Sequence, residues 1–120
     1  MILVVDDDVC IARAIADVLR LNGFSVSTAA SCDEALSCIE ENPPSLVLCD
    51  INMPDHSGLE LLQVLKENSE TQAIPLVFVS AMGRAQDVEN GLKAGAAGYL
   101  VKPFDPAKLL NTVRELALTA

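Results

Sequence analysis

The chain has 120 residues, with 17 acidic against 8 basic side chains and a formal net charge of −9. Residues 1–60 hold 11 acids and 2 bases, whereas residues 61–120 hold 6 of each, so the whole excess lies in the first half. A chain this long is expected to be one domain over residues 1–120, burying about two-thirds of the surface its unfolded form exposes. Its acidity argues against a direct electrostatic grip on nucleic acid or on an anionic membrane, because both need clustered Lys and Arg. Apolar residues make up 51% of the chain but come in short runs, none near the ~18 residues of a membrane span. Met1-Ile2-Leu3-Val4-Val5 has no basic flank and stops at three aspartates, unlike a signal peptide. Cys10, Cys32, Cys38 and Cys49 follow no C-x-x-C spacing. They read as reduced, small core residues, with a cytoplasmic location expected.

Two periodicities alternate along the chain. An apolar run at Ile2–Val5 reads as a strand buried on both faces, and Asp8 as the N-cap of the helix after it. That helix carries Ile11, Ile15, Val18 and Leu19 at helical spacing and ends at Gly23. Residues 24–29, with β-branched Val26 and Thr28, read as a weaker strand. Ser31-Cys32-Asp33-Glu34 is a capping box that opens a second helix bearing Ala35, Leu36 and Ile39, stopped by Pro43-Pro44. Residues 45–49 form the next apolar run. A third helix follows, capped by Ser57 and striped by Leu59, Leu62 and Leu65. Residues 76–79 are a fourth strand, and residues 84–94 a fourth helix with Val88 and Leu92, ended by Gly95. Gly98–Val101 is the last strand. Asp105-Pro106 then caps a fifth helix striped by Leu109, Leu110, Val113, Leu116 and Ala117.

Five strand–helix pairs imply a single doubly wound α/β domain of the flavodoxin-like kind, with a parallel five-stranded sheet and helices on both faces. Such sheets commonly run in the order 2-1-3-4-5 and bind ligands beyond the carboxyl ends of their strands. In that order the first, third, fourth and fifth strands are consecutive neighbours. Their ends, Asp6-Asp7-Asp8, Asp50, Ser80 and Lys102-Pro103, then line one edge. Asp6, Asp7 and Asp50 packed together repel and resist ionising unless a cation sits among them. An all-oxygen donor set favours a hard ion such as Mg²⁺. Ser80 and Lys102 supply a hydroxyl and an ammonium suited to an anionic oxygen. A metal on one side of a carboxylate and a lysine on the other make a phosphoryl-transfer site.

These residues carry a family resemblance. Val4-Val5-Asp6-Asp7-Asp8, Leu48-Cys49-Asp50-Ile51-Asn52-Met53-Pro54 with Gly58, Val79-Ser80-Ala81, Gly95-Ala96 and Tyr99-Leu100-Val101-Lys102-Pro103-Phe104 together resemble the receiver domain of two-component response regulators. The resemblance covers essentially the whole chain. It implies that Asp50 is the phosphoacceptor, taking a phosphoryl group from a phosphohistidine on a sensor histidine kinase or phosphotransfer protein. It also implies that Asp7, Asp50 and the Asn52 main-chain carbonyl bind Mg²⁺, with Asp6 acting through water. By the same resemblance Lys102 pairs with the phosphoryl group and Ser80 hydrogen-bonds to it after transfer. Tyr99 matches an aromatic switch position, and the Lys102-Pro103 peptide is expected to be cis. The domain would then be no enzyme with an external substrate. It would be a signalling module that catalyses its own phosphorylation and dephosphorylation and passes the signal to a downstream effector or output domain.

Three departures stand out. Ser80 replaces a frequent Thr, keeping the hydroxyl but losing β-branched stiffness. Ser57 stands where an acid is common. Ala96-Ala97-Gly98 lacks the acidic pair of many winged-helix regulators, which weakens the expectation of a phosphorylation-dependent homodimer. Apolar Met82, two residues past Ser80, is expected to limit water and slow dephosphorylation, and Asn52 holds the matching position past Asp50. His56 reads as a solvated loop residue, since the expected ion prefers oxygen. Two other classes share features of the chain. Asp6-x-Asp8 after a strand superficially fits haloacid-dehalogenase-type phosphatases, but the chain is short for that fold and lacks a late acidic pair. A flavodoxin-like electron carrier shares the architecture, but its phosphate site needs backbone donors where this first turn is acidic.

Overall fold

A computed structural model describes residues 1–53 and 55–117. Five strands alternate with five helices: β1 (Ile2–Val5), α1 (Val9–Leu21), β2 (Val26–Ala29), α2 (Cys32–Glu41), β3 (Leu46–Cys49), α3 (Gly58–Glu67), β4 (Leu76–Ser80), α4 (Ala85–Lys93), β5 (Gly98–Val101) and α5 (Pro106–Ala117). All strand pairs are parallel, and the order is β2-β1-β3-β4-β5, as the alternation predicts. Strands β2 and β3 are shorter than expected at their starts, and β4 runs one residue further, through Ser80.

The continuous apolar runs arise because successive strand residues face opposite sides of a sheet covered on both. Ile2, Val4, Leu46, Leu48, Val77 and Val79 pack with Ile15 and Leu19 of α1 and Leu109 and Val113 of α5. Leu3, Val5, Val47, Cys49, Leu76 and Phe78 point the other way, onto α2 and α3. The caps read from sequence are in place. Asp8 accepts the N–H groups of Cys10 (3.0 Å) and Ile11 (3.3 Å), Ser31 that of Glu34 (3.1 Å), Ser57 that of Leu59 (3.1 Å) and Asp105 that of Ala107 (3.1 Å). Glu34 turns back to the N–H of Ala30 (3.2 Å) rather than that of Ser31. The left-handed backbone at Gly23 (φ 89°) and Gly95 (φ 111°) follows the ends of α1 and α4.

Three sequence expectations need correction. The buried stripe of α3 is Leu61, Leu62 and Leu65, while Leu59 is 38% exposed. At 100° per residue that stripe is centred about 110° round the helix from Leu59. On α4 the buried residue is Gly91, with Leu92 exposed and Val88 half-buried. The missing side chain lets the helix approach Tyr99 and Phe78, whose ring atoms lie 3.0 and 3.2 Å from where a Cβ would sit. Cys10 is exposed, whereas Cys32 and Cys49 are buried and Cys38 is half-buried. The side chain of Ala117 lies outside the described residues.

The α3 correction has a measurable consequence. Leu61→Ala is expected to lower unfolding free energy by about 2–5 kcal/mol, as buried Leu truncations do. Leu59→Ala should change it by only about 0.5 kcal/mol. Urea denaturation of both variants measures the contrast, and equal losses would place Leu59 in the core after all.

Candidate functional site

The sheet's hydrogen-bond ladder runs on past the strand ends into the residues of interest. The N–H of Asp6 donates to the Ala29 carbonyl (3.0 Å), that of Asp50 to the Val5 carbonyl (3.0 Å) and that of Lys102 to the Ser80 carbonyl (2.8 Å). Each side chain therefore leaves a backbone that is already fixed. Asp6, Asp7 and Asp50 each bring a carboxylate oxygen into a group whose members lie within 4.8 Å of one another. Asp6 is buried, Asp50 half-buried and Asp7 exposed. Lys102 crosses to this group from the far strand. Its Nζ lies 2.8 Å from Asp6 Oδ2 and 3.1 Å from Asp50 Oδ2. The Lys102-Pro103 peptide is cis, as the resemblance implies.

Burial acts to lower the pKa of the Lys102 ammonium. The hydrogen bonds and charges of Asp6 and Asp50 outweigh it and hold the group above its ordinary 10.5. The other Asp6 oxygen accepts the Asp8 N–H (2.9 Å), and the other Asp50 oxygen the Asn52 N–H (3.2 Å). The donor set fits a hard divalent ion, because it offers only oxygens and one carboxylate faces solvent, leaving room for water ligands.

Ser80 is 1% exposed, and its Oγ accepts the N–H of Met82 (3.1 Å). The Met82 carbonyl in turn accepts the Tyr99 hydroxyl. The peptide groups at Met82 thus connect Ser80 to Tyr99. The Tyr99 ring is half-buried and meets Phe78 edge-on, with centroids 6.1 Å apart and planes at 61°. Asn52 is exposed, and its side-chain amide donates to the Met82 sulfur (3.4 Å). Gly58 closes the loop behind Asp50 by donating to the Ile51 carbonyl (2.6 Å). A side chain there would strike the Asp50 carbonyl oxygen and Ile51 Cα.

The seven residues singled out from sequence, Asp6, Asp7, Asp50, Asn52, Ser80, Tyr99 and Lys102, therefore lie at or beside one edge of the sheet. His56 stands apart and is 51% exposed, with Nδ1 2.8 Å from Glu60 and Nε2 3.9 Å from Asp33, as suits a solvated loop histidine. Sequence reasoning missed Asp55, whose carboxylate accepts the N–H groups of Cys32 (3.2 Å) and Asp33 (3.1 Å). Its partners are 22 and 23 positions away, so no local motif marks it. It also missed the Met82 link, because main-chain groups leave no trace in residue identity.

A doubly wound parallel sheet with an acidic cluster and a lysine at its carboxyl edge defines a class of small flavodoxin-like domains. Comparison with known proteins places the chain within it. The family model described as "Response regulator receiver domain" matches residues 2–114. The chain is 37% identical over 113 residues to the phosphate regulon transcriptional regulatory protein PhoB of Klebsiella pneumoniae, covering 94% of this chain and 49% of that protein. It is 38% identical over 113 residues to the DNA-binding response regulator MtrA of Mycolicibacterium paratuberculosis, covering 94% and 49%. The chain thus spans about half the length of these relatives. Among solved structures, a putative response regulator from Chloroflexus aurantiacus superposes with a TM-score of 0.93 at 35% identity, covering 98% of this chain and 96% of that one. The receiver domain of NtrX from Brucella abortus gives 0.92 at 31%, covering 100% of both. The chain belongs to the response regulator receiver domain family of two-component systems. Among the described residues no helix is long and apolar enough to cross a membrane.

The lysine bridge makes a pH prediction. Because the folded pKa of Lys102 is raised, its contribution to stability is fully present below 10.5 and is lost as pH rises through the higher folded value. In metal-free protein, Lys102→Met is expected to be less stable than the native chain at neutral pH. The gap should narrow above pH 10.5. Thermal unfolding across that range checks the trend, and a gap independent of pH would mean the ammonium is not held by the two aspartates.

Proposed function

We propose that this domain accepts a phosphoryl group on Asp50 from a phosphohistidine of a sensor histidine kinase or phosphotransfer protein, with Mg²⁺ as cofactor. The observation that carries this reading is the Lys102 ammonium seated between Asp6 and Asp50, with Asp7 in the same oxygen cluster. Asp7, Asp50 and the Asn52 main-chain carbonyl would hold the ion, with Asp6 acting through water. When bound, the ion supplies positive charge that offsets the charge of the transferring group.

The chain's own residues then do the rest. An Asp50 carboxylate oxygen attacks the phosphorus, the new P–O bond forming as the P–N bond to the donor imidazole breaks. The leaving imidazole takes the bonding electron pair. Lys102 is already 3.1 Å from that carboxylate and needs only to shift its contact to a phosphoryl oxygen. Ser80 offers its hydroxyl to another phosphoryl oxygen. Turning towards that oxygen carries the Ser80 Oγ away from the Met82 N–H, and the Met82–Tyr99 link loosens with it. The change reaches α4, β5 and α5, the face that would engage an effector, an attached output domain or a second copy of the chain. Two states differing this way need about 5.5 kcal/mol of differential stabilisation to swing from 1:99 to 99:1.

Intact mass after incubation with Mg²⁺ and a small acyl phosphate tests the chemistry. One phosphoryl adduct is expected in the native chain and none in Asp50→Asn; an undiminished adduct in that variant would move the acceptor elsewhere. The switch has a separate check. Tyr99→Ala should take up phosphate normally yet bind an output partner equally well before and after modification. A native-like change in affinity would remove Tyr99 from the relay.

A further inference from the structure

The loop that follows Asp50 is fastened to a helix it does not belong to. At its base Gly58 donates to the Ile51 carbonyl (2.6 Å). Further along, Asp55 places one carboxylate oxygen on the N–H of Cys32 (3.2 Å) and the other on the N–H of Asp33 (3.1 Å), the first two residues of α2. These two N–H groups belong to the set that a helix leaves without internal partners at its start. The helix's own cap, Ser31, is occupied with Glu34, and Glu34 with Ala30. Cys32 ties back in the opposite direction, its buried thiol donating to the carbonyls of His56 (3.5 Å) and Ser57 (3.7 Å). Burial first, then the charges of Asp55, Glu60 and Asp33, push that thiol up to about 11, so it remains a donor at neutral pH. Slight desolvation opposes ionisation of Asp55, but the backbone amides of Asp33 and Cys32 hold its carboxyl below the ordinary 3.8.

Asn52 sits between two anchors. On one side its N–H is held by Asp50 Oδ1 (3.2 Å), and three residues on is the Asp55 clamp. We propose that Asp55 is a positioning residue for the metal site: without touching the ion, it fixes the main chain of the loop at Asn52 against the start of α2, and so sets the affinity for Mg²⁺. The proposal rests on the metal reading given above. A local cap would serve the helix equally well. Only a cap supplied from this loop also restrains the loop.

Asp55→Ala, Asp55→Asn and Ser31→Ala separate the two roles, since Ser31→Ala removes a cap of the same helix that has no tie to the loop. In metal-free protein, amide hydrogen exchange at Asn52 and Met53 should quicken in Asp55→Ala and stay native-like in Ser31→Ala. The Mg²⁺ concentration for half-maximal adduct formation with an acyl phosphate should rise about tenfold in Asp55→Ala, the scale of a lost outer-shell partner. The rate at saturating Mg²⁺ should be unchanged. Asp55→Asn, keeping one acceptor oxygen, should fall between. A native Mg²⁺ requirement in Asp55→Ala, or an equal rise in Ser31→Ala, overturns the positioning role. A native chain whose modification ignores Mg²⁺ overturns the metal reading itself, and this proposal with it.

Discussion

One ammonium makes the rest of this site possible. Asp6 and Asp50 leave adjacent parallel strands with their backbones pinned, and Asp6 is almost wholly removed from water. Two carboxylates so placed would destabilise the fold if left alone, since burial raises the cost of charge and proximity adds repulsion. Lys102 reaches both from the far side of the sheet, its Nζ 2.8 Å from Asp6 and 3.1 Å from Asp50. The arrangement depends on topology. The 2-1-3-4-5 order brings residues 52 and 96 positions apart within one hydrogen bond of each other. Lys102 is therefore a clamp between two strands that sequence separates widely.

The same edge contains two mechanical links of opposite character. Ser80, the Met82 main chain and Tyr99 form a chain of hydrogen bonds between neutral groups. Asp55 on α2 is a carboxylate shared by two backbone N–H groups, and charge-assisted bonds of that kind are roughly twice as strong as neutral ones. One side of the edge is tied by a charged cap, the other by neutral hydrogen bonds. Gly91 lies beside the second link, its missing side chain letting α4 come close to the rings of Tyr99 and Phe78.

Much of this was legible in the sequence, for identifiable reasons. The fold follows from apolar runs with residues facing both ways, and from caps such as Asp8, Ser31, Ser57 and Asp105, whose partners are two or three positions away. Asp6, Asp7, Asp50, Ser80 and Lys102 were legible because they lie at or just past strand ends, and strand order converts position along the chain into position along an edge; Asn52 and Tyr99 came from the resemblance alone. What failed was orientation within α3 and α4. Leu59 and Leu61 are chemically identical, and only packing tells which faces the core. Gly91 read as nothing in particular, though it is the contact point of its helix. Asp55 and Met82 escaped because their roles lie in bonds to main-chain atoms of distant segments, which residue identity does not encode.

The mixture of buried Asp6 and exposed Asp7 has an outward consequence. Three carboxylates against one ammonium leave two negative charges at the rim. With Asp7 facing solvent, that field extends about 8 Å at physiological ionic strength before dissolved ions screen it. An anionic small molecule meets this field before it reaches Asp50. For the metal-free chain, added salt therefore speeds that encounter, the reverse of its effect on oppositely charged pairs. A surface rich in Lys or Arg is drawn in by the same field. A divalent cation held by the three carboxylates would cancel the excess.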